Sequence, residues 1–326
     1  MAIDRFGRAI HYIRISVTDH CNLRCVYCMP EKMTFRPTEE MMSFDEIVTL
    51  TRLLTSLGFD KIRLTGGEPT VHPQIVEIVG AIAGMPGVNS VSLTTNGVLL
   101  NKLAEPLAKA GLQRVNISLD TLNPLEYRRI TRRGRFEQVW AGILAAESAG
   151  LKPVKLNAVI VRNFNESSLV DLSRLTYEHP WQVRFIEMMP FGGATALQLD
   201  QVVKANEMRQ VIQAALGPLE LVNQGELDGE AQIYRLPGSQ GQLGFIASVS
   251  VPFCASCSRA RLTADGHLRL CLLRDKEVDL LTPLRAGASP AQLRQLILDG
   301  IWQKPWGHGL ADGEYATDRI MSEIGG

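Results

Sequence analysis

Between Tyr12 and about residue 190, short runs of β-branched and apolar residues alternate with longer stretches whose apolar positions recur at helical spacing. YIRIS (12–16), KIRLT (61–65), NSVSLTT (89–95), RVNISL (114–119), VKLNAVIV (154–161) and QVRFIEM (182–188) have the length and composition of strands. Helical patterns lie between them. SFDEIVTLTRLLTSLGF carries Ser43 and Glu46 as a capping box, HPQIVEIVGAIAG opens a helix at His72, and FEQVWAGILAAESAG is a further one. Strands separated by helices pair in parallel with the helices outside. Six such units are two short of a closed eight-unit barrel, so the expected class is α/β, an open, partial (β/α)6 barrel resembling a TIM barrel. In such architectures ligands collect at the carboxyl ends of the strands.

Beyond residue 190 the pattern changes. PFGGATALQ is irregular, ANEMRQVIQAAL is helical, and AQIYRL with LGFIASVSV reads as two strands around PGSQGQ. RARLT and HLRLCLL flank Ala264-Asp265-Gly266, a turn that would fold Cys271 back toward Cys254 and Cys257. The expected organisation is a barrel over residues 1–190 and a C-terminal region over 191–326. The stretch from about 192 to 245 carries no motif.

The 326 residues are 45% apolar, ample for a packed core, and 34 basic residues balance 34 acidic ones. That balance argues against a broad nucleic-acid footprint, and the short apolar runs argue against a membrane span. An anionic ligand must therefore be met by local arginine and lysine. MAIDRFGRAI has no positive-then-apolar leader, so a cytoplasmic location is expected.

Six cysteines fall into two groups of three, Cys21, Cys25 and Cys28 in CNLRCVYC, and Cys254, Cys257 and Cys271 downstream. Three thiolates at C-x3-C-x2-C can occupy three corners of an iron–sulfur cube and leave the fourth iron open for chemistry. Disulfides fit poorly with three cysteines in eight residues and a reducing compartment. Zinc, with His20 or His267 as fourth ligand, is the other alternative. The first triplet's spacing favours a cluster, whereas the second triplet's spacing alone does not decide. Two further turns carry chemistry-prone residues, Gly66-Gly67-Glu68-Pro69 after the second strand and Thr94-Thr95-Asn96-Gly97 after the third.

CxxxCxxC with Tyr27 before the last cysteine, followed by GGEP, resembles the radical S-adenosylmethionine (SAM) enzymes. Within them SVTDHCNLRCVYCMP, KIRLTGGEP, LTTNG, VNISLDTL, VKLNAVIVR, RFIEMMP, FCASCSRARLTADGHLRLCL and the terminal IGG resemble the GTP 3′,8-cyclases of molybdenum cofactor biosynthesis over essentially the whole chain. The resemblance implies a partial barrel of the radical SAM type with a C-terminal extension carrying a second iron–sulfur site. It implies two [4Fe-4S] clusters, SAM on the open iron of the first and GTP on that of the second. The activity implied is abstraction of the C3′ hydrogen of GTP by a 5′-deoxyadenosyl radical and closure onto C8 of guanine.

By that resemblance Tyr27, Gly67, Ser118 and Met189 correspond to SAM contacts, and Arg14, Arg63, Thr94, Lys155, Arg259 and Arg261 to GTP contacts. The cations also stand out by themselves. Arg14, Arg63, Lys155 and Arg184 sit inside strands of a parallel sheet, where charge is unusual, and a triphosphate would match them. Salt bridges to neighbouring acids are the plain alternative for any one of them. Arg259 and Arg261 alternate, so both side chains face one way. The family's terminal diglycine enters the active-site channel, which places Gly325 and Gly326 with Arg14, Arg259 and Arg261 among the residues expected to act. Thr70-Val71-His72-Pro73 replaces arginines common after GGEP, and no function is transferred to that segment.

A flavodoxin- or ferredoxin-like electron donor, cyclic pyranopterin monophosphate synthase as the next enzyme, and a homodimer complete the expectations, with no nucleic acid and no membrane. The nearest rival is a radical SAM peptide maturase with an auxiliary cluster.

Overall fold

The computed structural model describes residues 1–189, 199–222, 227, 229–310 and 316–325. Its first half runs β1 (Tyr12–Ser16), α1 (Phe44–Ser56), β2 (Lys61–Thr65), α2 (Ile75–Ala83), β3 (Ser90–Thr95), α3 (Leu100–Lys109), β4 (Arg114–Ser118), α4 (Pro124–Thr131), α5 (Phe136–Ser148), β5 (Lys155–Ile160), α6 (Ser168–Glu178) and β6 (Gln182–Glu187). The second half supplies α7 (Ala205–Leu216), β7 (Glu220–Leu221), β8 (Gln232–Arg235), β9 (Gln242–Ile246), β10 (Arg259–Leu262), β11 (His267–Arg269), β12 (Glu277–Asp279), α8 (Leu281–Arg285) and α9 (Pro290–Trp302).

Local chemistry accounts for the helix ends. Ser43 accepts from the Glu46 amide and Glu46 reaches back to the Ser43 amide, which starts α1 and lets Ile47, Leu50, Thr51 and Leu54 bury one stripe. The helix expected from His72 begins instead at Ile75. Pro73 holds His72 in an extended conformation, and Pro69–Val71 forms a separate 3-10 turn capped by Glu68.

Strands β1 to β6 pair in parallel in chain order. The sheet does not stop there. β10 joins β1 and β9 joins β6, both in parallel, and antiparallel hairpins extend each edge, giving the order β12-β11-β10-β1-β2-β3-β4-β5-β6-β9-β8-β7. The C-terminal region thus lengthens the barrel wall at both ends. Ile13, Ile15, Ile62, Leu64, Leu93, Val115, Ile117, Leu156, Val183 and Phe185 belong to one core with the helices. Alternation leaves Arg14, Arg63, Thr94, Ser118 and Arg184 on the opposite, concave side, which explains how charges sit within strands of a parallel sheet.

Candidate functional site

The loop after β1 carries the first cysteine triplet and is bound to the turn after β2 by backbone. Gly67 N–H donates to Thr18 O (2.7 Å) and Glu68 N–H to His20 O (2.8 Å). A Cβ on Gly67 would lie 2.2 Å from Asp19 O and 2.5 Å from His20 O, so only glycine permits this approach. The glycine is demanded by the cysteine loop itself, before any ligand. Glu68 then links two turns, accepting from Thr70 N–H (2.9 Å), Thr95 Oγ1 (2.7 Å) and Asn96 N–H (2.6 Å). Gly67→Ala is expected to displace the cysteine loop and lower iron incorporation at the first triplet, measured as iron per chain after anaerobic reconstitution, while the second triplet still loads.

Tyr27 Oη donates to Asp120 Oδ2 (2.7 Å), and Asp120 Oδ1 accepts Val159 N–H (2.9 Å), which ties the cysteine loop to β5. Burial pushes the Asp120 carboxyl up to about 6 in spite of these bonds.

All six cysteines are free thiols, and both triplets line one cavity of about 330 Å³. Burial pushes Cys21 up to about 11 and Cys28 up to about 12, and holds Cys25 well above the usual thiol range. Such thiols become thiolates only when a cation compensates them, as a metal centre does. Cys257 differs: burial opposes its ionisation, yet the Lys304 ammonium and the Arg259 and Arg8 guanidiniums hold it below the usual value. The histidines considered for zinc are engaged elsewhere. His20 Nε2 lies 3.3 Å from Arg36 O and its ring sits against Phe35, while His267 Nδ1 lies 3.1 Å from Asp265 O. Among the described residues no three His, Cys, Asp or Glu gather for a single metal ion. Two sets of three thiols fit two cubane clusters, each with one iron left for an exogenous ligand.

The cations form a row. Arg261, Arg14 and Arg63 stand in register across β10, β1 and β2, and Arg14, Arg63 and Arg259 lie 5.6, 5.3 and 5.7 Å from the Tyr12 ring centroid. Asn116, with its amide oxygen turned to the donors, accepts from both terminal nitrogens of Arg63 (2.9 and 3.2 Å). Arg184 Nε donates to Gln182 Oε1 (2.6 Å). Lys155 is buried at the start of β5, in register with Asn116 and Gln182, and is not among the cavity-lining residues. Thr94, Ser118 and Met189 line the cavity.

Sequence reasoning missed Glu230, just before β8. Its carboxylate is buried, bonded to Arg14, and 3.2 Å from Arg259 Nε. Burial alone would raise its pKa, but Arg14, Arg259, Arg63 and Arg184 together hold it far below the carboxylate range. Nothing in GELDGEAQ separates Glu230 from Glu226 or Asp228, so no sequence signal was there to find.

The C-terminal tail crosses the site. Arg319 binds both oxygens of Asp265 (2.9 and 3.0 Å) and reaches Glu277 (2.8 Å). Ala316 and Ile324 pack with Leu273 and Met189. The Ser322 amide faces the Cys28 sulfur, and Arg261 donates to the carbonyls of Ile324 (3.4 Å) and Gly325. One segment therefore touches the first thiol triplet and the arginine row. Gly326 lies outside the described residues.

Residues 15–176 match the model of the Radical SAM superfamily, and residues 181–310 match that of Molybdenum Cofactor Synthesis C. The chain is 47% identical over 324 residues to a GTP 3′,8-cyclase of Pelotomaculum thermopropionicum, and 47% identical over 324 residues to that of Moorella thermoacetica, with 99% of each chain covered in both comparisons. The GTP 3′,8-cyclase of Gloeobacter violaceus is 44% identical, covering 97% of this chain and 99% of the relative. Among solved structures, Streptococcus suis SuiB bound to S-adenosylmethionine aligns with a TM-score of 0.63 at 15% identity, over 94% of this chain and 68% of that one, a likeness of fold.

Proposed function

The chain belongs to the GTP 3′,8-cyclase family of radical SAM enzymes, and from that premise we propose how its residues divide the work. The reaction is radical SAM cyclisation of GTP in molybdenum cofactor biosynthesis, with two [4Fe-4S] clusters and SAM as cofactors. Identity at this level over the whole length sets the peptide-maturase reading aside.

In this reading Cys21, Cys25 and Cys28 hold the first cluster and Cys254, Cys257 and Cys271 the second. Bound together, the first cluster and SAM supply the 5′-deoxyadenosyl radical. Tyr27, Gly67, Ser118 and Met189 surround SAM, and two buried, unpartnered oxygens that line the same cavity, Asn157 Oδ1 and Ser322 Oγ, await a polar ligand. Arg14, Arg63, Lys155, Arg184, Arg259 and Arg261, with Thr94, hold GTP. The observation that carries the assignment is the sharing of one cavity by two thiol triplets and a row of guanidiniums. A triphosphate suits that row because planar guanidiniums bind phosphate oxygens in pairs.

The division proposed at about residue 190 follows β6, whereas the two family models meet ahead of that strand, between 176 and 181. The family resemblance also supports a flavodoxin- or ferredoxin-like donor, delivery of product to cyclic pyranopterin monophosphate synthase, a homodimer and a cytoplasmic location. No described helix is long and apolar enough to cross a membrane.

Equilibrium GTP binding tests the arginine assignment. Arg259→Ala or Arg261→Ala should each weaken GTP by about 1.5–3 kcal/mol, the range for a charge-assisted hydrogen bond in a dry site. Unchanged affinity in both variants would make these arginines structural.

A further inference from the structure

We propose that Glu230 is a counterion that stands in for the substrate's phosphates: it neutralises Arg14 and Arg259 in the ligand-free chain and is displaced when the triphosphate binds. The inference rests on reading the arginine row as the triphosphate site and adds a residue that this reading does not contain. Glu230 is a positioning residue, acting on the substrate through the two arginines.

The geometry carries it. Arg14 spends a terminal nitrogen on the Glu230 carboxylate, and the same oxygen lies 3.2 Å from Arg259 Nε. Arg259 is held again by the neighbouring carbonyl, Gly229 O, at 2.7 Å. One short segment entering β8 therefore occupies donors on two of the five arginines that line the cavity for GTP. The other cavity carboxylates are committed to backbone. Glu68 binds the turns after β2 and β3, and Glu187 accepts from Ala205 N–H, Val249 N–H and Ser250 N–H, each at 2.8 Å. Glu230 has no such backbone duty among its described bonds, and its partners are the cations themselves.

The physical problem it solves is self-repulsion. Arg261, Arg14 and Arg63 are adjacent in register, with Arg259 two residues from Arg261, and like charges this close and buried repel strongly unless an anion sits among them. In this structure that anion is Glu230. A triphosphate brings more charge and more oxygens to the same donors, and the carboxylate must withdraw, because two anions cannot share dry guanidiniums without repelling each other. Glu230 thus stabilises the empty site and opposes the filled one.

Opposite movement of two quantities is the signature. In Glu230→Gln, loaded with both clusters, the ligand-free protein should melt at a lower temperature, since the guanidiniums lose their counterion. Inorganic triphosphate and GTP should bind about tenfold more tightly, since no carboxylate has to be displaced. Guanosine, which has no phosphates, should bind as it does to the parent. Glu230→Asp, whose carboxylate is one methylene shorter, should fall between parent and Gln for triphosphate. If the Gln variant does not fold, the Asp variant decides by the same sign. Equal or weaker triphosphate binding in the folded variants would overturn the proposal and make Glu230 a scaffold for the arginines. Weaker binding of guanosine as well would place Glu230 on the base and overturn it equally. Failure of the underlying reading is distinguishable, because Arg259→Ala would then leave triphosphate binding unchanged.

Discussion

In Cys25→Ala, cleavage of SAM to methionine and 5′-deoxyadenosine is expected to fall to background while the protein stays folded. The loop that carries Cys25 is anchored by backbone rather than by its thiols. Arg24 N–H donates to Thr131 O (3.1 Å), Val26 N–H to Ile130 O (3.0 Å) and Cys28 N–H to Cys25 O (3.0 Å). These bonds survive the substitution, so what is lost is the thiolate at one corner of the cube, and an iron without its ligand leaves. The second triplet is built by other strands and should load independently. Iron content is expected to drop from roughly eight to roughly four per chain. Normal 5′-deoxyadenosine production in this variant would remove the first triplet from the chemistry.

Gly325→Ala should nearly abolish cyclisation while leaving iron content and SAM cleavage close to those of the parent. Gly325 has φ +71°, and a Cβ there would meet Thr65 Oγ1 at 2.3 Å and Ser16 Cβ at 3.1 Å. Both neighbours belong to strands of the sheet and cannot retreat. The tail must therefore lift, taking its carbonyl from Arg261 and changing the geometry in which substrate meets the radical. Upstream, Arg319 grips Asp265 through both carboxylate oxygens. Arg319→Ala should loosen the same segment from a distance and reproduce the defect in milder form. Product analysis by chromatography, with 5′-deoxyadenosine quantified alongside, separates uncoupled SAM cleavage from loss of the cluster. Full cyclisation by Gly325→Ala would make the tail a bystander.

Some of this site was legible because its information is carried by covalent spacing. Three cysteines in eight residues, or two arginines two apart on a strand, constrain geometry whatever the fold does. The strand and helix periods were legible for the same reason, with errors where a neighbour intervened. Pro73 moved the start of α2 from His72 to Ile75. Gly67 was singled out as a SAM contact, and what crowds it is the backbone of Asp19 and His20, in the loop after the neighbouring strand β1. Lys155 opens β5 on the face that also carries Asn157, and only the pairing of β5 with β4 and β6 sets it beside Asn116 and Gln182.

The sequence by itself determined the donor chemistry: which residues carry thiols and guanidiniums, and which face of each strand bears them, since alternation is a property of the local backbone. Only the tertiary structure decided which of these groups meet. Parallel pairing of β10 with β1 and of β9 with β6 brings segments more than two hundred residues apart in the first case, and about sixty in the second, into one wall. It sets Arg261 beside Arg14, brings the tail between them and Thr65, and places Glu230 among the cations. Side-chain encounters of that kind depend on long-range register, which a one-residue slip would reverse and which no local pattern encodes.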